Sequence, residues 1–250
     1  MKAIDLNADL GEGYDDAAVM PHISSANIAC GFHAGDAETM RRTIELCVQH
    51  GVAIGAHPSL PDRQGFGRRE MKITPDEVYA QSLYQIGALA AFAHAAGTRL
   101  HHVKPHGALY NMAARDRGLA DAIAHAVRDF DSSLILIGLA GSASIAAARE
   151  AKLACAQEAF CDRRYRADGS LAPRSQAGSV IEEIDQAIAQ AVSIATRNEA
   201  VADDGSRVRI EADTLCVHGD RANAGEFAHR LREALERSGL RVTAPGQCHA

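Results

Sequence analysis

Short apolar runs alternate with amphipathic helical patterns along this chain, and that alternation limits the fold more than any other feature. The runs are "AIDL", "SANIACGF", "VAIGAH", "RLHHVKPHG", "SLILIGLA", "KLACAQEAF" and "DTLCVHGD". Between the second and third, "AETMRRTIELCVQHG" places Met40, Ile44, Cys47 and Val48 at helical spacing, with Gly51 as a stop. "TPDE" at 74–77 reads as a helix start: Thr74 as N-cap, Pro75 at the first helical position, Glu77 closing a capping box. This helix is expected to run to Gly97. Further helices are expected over 179–198 and over "NAGEFAHRLREALERSG", ending at Gly239. Seven strands alternating with helices imply right-handed crossovers and a parallel sheet. The 250 residues suit one α/β domain spanning 1–250, with 61–75 and 161–178 as long polar loops. A doubly wound open sheet and a closed barrel both satisfy this count.

The distribution of polar groups favours the barrel. Alternate side chains of a strand share a face. In the first run Ile4, Leu6 and Ala8 form one face and Asp5, Asn7 and Asp9 the other. The same parity gives Asn27 and His33 in the second run, His57 in the third, and His102, Lys104 and His106 in the fourth. In the last it gives Cys216, His218 and Asp220. One face is apolar and the other turns polar toward the C-terminal end, where barrel enzymes gather their working groups. "DLNADLGE" at 5–12 then reads as a strand entering an active-site loop, with Glu12 beyond a glycine turn. Asp36 directly precedes a helix and is better read as its cap than as a catalyst.

Composition and motifs exclude several classes. A net charge of −6 without a basic stripe argues against a nucleic-acid partner. No continuous apolar stretch is long enough for a membrane span, and no basic and apolar leader opens the chain, so a cytoplasmic location is expected. The six cysteines include no C-x-x-C pair and are expected to be reduced and mostly buried. No phosphate-loop motif is present, and "GLAGSAS" matches neither a dinucleotide fingerprint nor a nucleophile elbow.

Together, "DLNADLGE", "SANIACGFHAGD", "GAHPSLPDRQGFGRR", "VKPHGALYN", "EAFCDRRY" with "PRSQ", and "CVHGD" resemble in order the motifs of the LamB/YcsF family. This is the lactam-utilisation group, understood as the A component of the bacterial ATP-dependent 5-oxoprolinase. The resemblance covers residues 4 to about 240. Cys161, the stretch after Pro173 and the residues after Asp220 depart from its usual pattern, but no ionisable motif residue is lost. The resemblance implies a seven-stranded parallel β/α barrel of the glycoside hydrolase and deacetylase kind. It also implies cleavage of 5-oxoproline to L-glutamate with hydrolysis of ATP, taken as its Mg2+ complex. The assembly would include B and C subunits, which are an alternative place for the nucleotide. A homo-oligomer is left open.

Roles follow from residue chemistry. Asp5, Asn7, Asp9, Glu12, His57, Lys104 and His106 form the candidate catalytic set. Asp9 or Glu12 with an imidazole, His57 or His106, would move protons, and Lys104 would stabilise developing negative charge. His33, Asn27, Arg68, Arg69, His218 and Asp220 are candidates for substrate binding, with Arg68 or Arg69 suited to a carboxylate. A bound divalent metal stays open, because the ligand types are right but no helical H-x-x-x-H pair presents them. A metal-dependent deacetylase-like hydrolase and a non-catalytic 5-oxoproline-binding subunit are the alternative readings.

Overall fold

The structure, a computed structural model, describes residues 1–173, 176–218 and 223–246. Its strands in chain order are β1 (Ala3–Leu10), β2 (Ser25–Ala29), β3 (Ala53–His57), β4 (His102–Val103), β5 (Ile135–Leu139), β6 (Ala154–Phe160), β7 (Glu199–Val201), β8 (Arg207–Arg209), β9 (Thr214–His218) and β10 (Arg241–Val242). β1 to β6 pair in parallel in sequence order, β6 pairs with β9, and β9 returns to β1. Seven parallel strands thus close a barrel, as the polar faces predicted.

The helices are α1 (Asp16–Val19), α2 (Ala37–His50), α3 (Pro75–Ala95), α4 (Gly107–Arg115), α5 (Arg117–Phe130), α6 (Ala143–Glu150), α7 (Ile184–Arg197) and α8 (Ala224–Arg237). They pack on Ile4, Leu6, Ala8 and Leu10 of β1 and on the matching outward positions of the other strands, all buried. The start of α3 is capped as expected, with both bonds of the Thr74–Glu77 box in place. Asp36 caps α2 by accepting from Thr39 N–H, and Gly51 ends that helix with φ 67°.

Several expectations need correction. β2 ends at Ala29, so His33 sits in a loop rather than on a strand. α7 begins at Ile184; Val180 instead bridges the extended chain at Arg163. The antiparallel pair β7–β8 and the short β10 lie outside the barrel and carry no long apolar run to announce them. α4, α5 and α6 fill the connections on either side of β5, in addition to the helices expected from sequence.

The barrel interior is divided. On the β5–β6 side Ile135, Ile137 and Ala156 form an apolar plug. On the remaining strands the interior side chains are polar and stacked in layers. Gly55 makes room for one of them: a Cβ there would run into the His102 imidazole.

Candidate active site

Asp5 occupies the bottom layer. Its carboxylate accepts hydrogen bonds from Ser24 Oγ (2.7 Å), Ser25 Oγ (2.8 Å) and Thr214 Oγ1 (2.5 Å). Burial pushes its pKa up to about 6 despite these bonds. Asp5 therefore lies deep in the barrel and not at the rim.

Asn7, Asn27, His102 and Glu158 make the middle layer. Asn7 Nδ2 donates to Glu158 Oε1 (3.0 Å) and Thr214 Oγ1 (2.7 Å). Asn27 Nδ2 donates to Asn7 Oδ1 (2.8 Å) and Asp9 Oδ1 (2.9 Å). The Asn27 oxygen takes a bond from His102 Nε2 at 2.9 Å. Burial holds His102 well below its ordinary pKa, consistent with a neutral ring in this network.

Above them lies Lys104, only 2% exposed. Its ammonium reaches Glu158 Oε1 (2.7 Å), Asp9 Oδ1 (2.9 Å), Asn7 Oδ1 (3.1 Å) and Cys216 Sγ (3.2 Å). Burial opposes its charge, but Asp9, Cys216 and Glu158 overcome that and hold its pKa well above the ordinary lysine value. Glu158 is a residue that motif reasoning missed. The available signal was an acid between Ala156 and Phe160 on the inward parity of an apolar strand.

The top layer is an imidazole–carboxylate cluster. Glu12 lies past Gly11, which turns the chain with φ 71°. Glu12 Oε1 is 2.8 Å from His33 Nε2, 3.3 Å from His106 Nδ1 and 3.8 Å from His57 Nε2. His57 Nε2 is also 3.3 Å from Asp9 Oδ2 and 2.9 Å from His106 Nδ1. The rings of His33 and His106 stack at 3.7 Å, nearly parallel at 4°. Glu12, His33, His57 and His106 could together hold a metal ion.

The loop after β3 closes over this cluster, and Gly67, at φ 64°, leaves space that a Cβ would take from His106 and His33. His106 Nε2 donates to the Phe66 carbonyl at 2.9 Å. His57 Nδ1 donates to the Lys104 carbonyl at 2.7 Å.

Electrostatics divide the imidazoles. Burial lowers His33 to about 4 and also lowers His106. Burial opposes charge on His57 too, but the neighbouring Asp9 raises it. For Glu12, burial pushes upward, while the bonds with His106 and His33 outweigh it and keep the carboxyl below its usual range.

Asp9, Glu12, His57, Lys104 and His106 all line one cavity of about 740 Å³ at the C-terminal ends of the barrel strands. Arg68, Arg115, Arg163 and Arg166 line its outer walls, and Arg68 also lies over the Phe66 ring. Arg69 does not join them; its Nε donates to Asp62 at 3.0 Å, away from the cavity. The His218 side chain and Asp220 lie outside the described residues. Tyr110, on the first turn of α4, is the second residue that motif reasoning missed. Its phenol is buried in the cavity floor with no well-formed hydrogen bond among the described residues. Burial, then the nearby Glu158 charge, hold its pKa well above the ordinary tyrosine value.

Closed parallel strands with acids, imidazoles and an ammonium collected at their C-terminal ends define a β/α-barrel of the enzymatic type. The LamB/YcsF family profile matches residues 4–250, and the chain belongs to that family. A Bordetella parapertussis protein, named as the A component of 5-oxoprolinase, is 56% identical over 248 residues, covering 97% of this chain and 98% of that one. The crystal structure of a lactam utilization protein from Thermus thermophilus superposes with a TM-score of 0.91 at 50% identity, covering 98% of this chain and 100% of that one. A T48 deacetylase, at 11% identity, shares the fold with a TM-score of 0.52, covering 97% and 87%.

Proposed function

We propose that this chain is the ring-opening subunit of an ATP-dependent 5-oxoprolinase, acting with B and C subunits on 5-oxoproline to give L-glutamate. The observation that carries this reading is the convergence of Asp9, Glu12, His57, Lys104 and His106 on one cavity in a chain more than half identical to a protein named for that activity. That relative is named as one component of several, which supports a complex. The nucleotide and its Mg2+ are assigned to a partner, since this sequence carries no phosphate-loop motif. A cytoplasmic location fits an enzyme that consumes ATP. Among the described residues, no helix is long and apolar enough to cross a membrane.

The chemistry requires three things. A five-membered lactam is a stable amide, and transfer of a phosphoryl group from ATP to its oxygen makes the ring carbon electrophilic. Water must then add to that carbon and lose a proton while the ring nitrogen gains one as the C–N bond breaks, and the γ-glutamyl phosphate so formed must be hydrolysed by a second water to L-glutamate and inorganic phosphate. Asp9, at the cavity edge and bonded to Lys104, is placed to take the proton from water. Lys104 below it stabilises negative charge developing at the former carbonyl. The Tyr110 phenol lines the same cavity and interacts with the Glu158 carboxylate that also holds Lys104. Arg68 lines the cavity and suits the substrate carboxylate; Arg69, held by Asp62, does not line it.

The test is glutamate formation from 5-oxoproline and ATP. The chain alone is expected to give none, and the chain mixed with its B and C partners is expected to give glutamate, ADP and inorganic phosphate. A folded complex that hydrolyses ATP yet forms no glutamate from 5-oxoproline overturns the reading.

A further inference from the structure

The hydrogen bonds of His57 and His106 turn one nitrogen of each ring toward the other and toward Glu12. His57 Nδ1 gives its proton to the Lys104 carbonyl, and His106 Nε2 gives its proton to the Phe66 carbonyl. A backbone carbonyl can only accept, so both tautomers are set. The two remaining nitrogens, His57 Nε2 and His106 Nδ1, then face each other 2.9 Å apart, as two lone pairs when both rings are neutral. Glu12 adds a third acceptor, 3.3 Å from His106 Nδ1 and 3.8 Å from His57 Nε2. These acceptors, with Asp9 Oδ2 3.3 Å from His57 Nε2 beside them, share one positive charge, either a proton on His57 or a metal ion seated between the rings and the carboxylate.

We infer that His57 Nε2, His106 Nδ1 and a Glu12 oxygen are the protein ligands of a divalent transition-metal site that opens onto the cavity. The separations fit: ligand atoms around a tetrahedral ion bound at about 2.1 Å lie about 3.4 Å apart. Both imidazoles are anchored through their far nitrogens to backbone carbonyls, the arrangement that orients metal-binding histidines. Two nitrogen donors and one carboxylate select zinc or a neighbouring first-row ion over calcium or magnesium. All three residues line the cavity, which leaves a position open to water or substrate.

His33 is excluded as a ligand despite its place in the cluster. Its ring is parallel to that of His106 and stacked on it. An ion in the plane of His106 lies well out of the plane of His33, where no lone pair points. His33 Nε2 instead donates to Glu12 and orients it, a positioning role. His57 and His106 then serve as ligands, and proton transfer stays with Asp9.

Metal binding is measured without substrate, so this inference stands or falls apart from the lactam reading. The purified chain, stripped with a chelator and dialysed against Zn2+ or Co2+, is expected to retain one ion per chain. Co2+ is expected to give the visible absorption of a low-coordinate site, and Zn2+ to raise the Tm of the unaltered chain. His57→Asn and His106→Asn are each expected to weaken binding by at least about a hundredfold, and His33→Asn by no more than about tenfold. No stoichiometric ion in the unaltered chain overturns the inference. So does unchanged binding in the His57→Asn/His106→Asn double variant, which would move the ion to another pair such as His22 and His229. Loss of the ion in a folded His33→Asn variant overturns the ligand assignment.

Discussion

Asp5 shows how far burial, helped by the Glu158 charge, can move a side chain's chemistry against its hydrogen bonds. Its folded pKa of about 6 stands above the ordinary 3.8, so the folded state holds the proton more tightly. The resulting stability is fully present below about pH 4 and is lost as pH rises through 6. Two units correspond to about 3 kcal/mol. Asp5→Asn removes this titration, so its stability relative to the parent is expected to improve by about that amount between pH 4 and 7 in urea unfolding. Parallel curves for the two proteins would contradict the assignment. Tyr110 is a buried donor whose neighbour is the Glu158 carboxylate. Tyr110→Phe is expected to lower kcat/KM of the assembled enzyme by about 10- to 100-fold while leaving Tm unchanged or slightly raised. A variant with full activity would remove the phenol from the reaction.

Strands and loops divide the work differently. Along β1, parity alone places Asp5, Asn7 and Asp9 inside the barrel, because the side-chain period of a strand is two whatever surrounds it. Parity gives the side of the sheet but not the depth, so it groups Asp5 with rim residues although that carboxylate sits at the bottom. Extending β2 past its end reaches His33 for the wrong reason; the loop, not the strand, returns it to the cluster. His106 precedes α4 in extended chain, where its N–H still bonds the Pro58 carbonyl and so keeps step with β3. Glycines on these elements are spacers. Gly55→Ala would drive a methyl into the buried His102 ring, with an expected loss of about 1–3 kcal/mol by chemical denaturation. An unchanged midpoint would mean that His102 moves aside freely.

Across the whole molecule, Lys104 ties the layers together. It joins β4 to Asn7 and Asp9 on β1, Glu158 on β6 and Cys216 on β9. Lys104→Met leaves those carboxylates buried without their cation, so it is expected to abolish turnover and also to cost about 3–5 kcal/mol of stability. A fully stable, inactive variant would show that water or a neighbour replaces the charge. The alternation of runs, the helix caps and the family motifs are readable from the chain because each rests on contacts a few residues long. The depth of each polar layer and the partners of Lys104 are not. Nor is Tyr110 recognisable as a cavity residue, since it lies on a short helix next to a strand of two residues, and the parity of Glu158 gives its side of the sheet but not its bond to Lys104. Local backbone sterics and side-chain periodicity determine which way a residue points. Only closure of the sheet brings residues from distant strands within hydrogen-bond reach, where the low dielectric of the interior sets their charge and their chemistry.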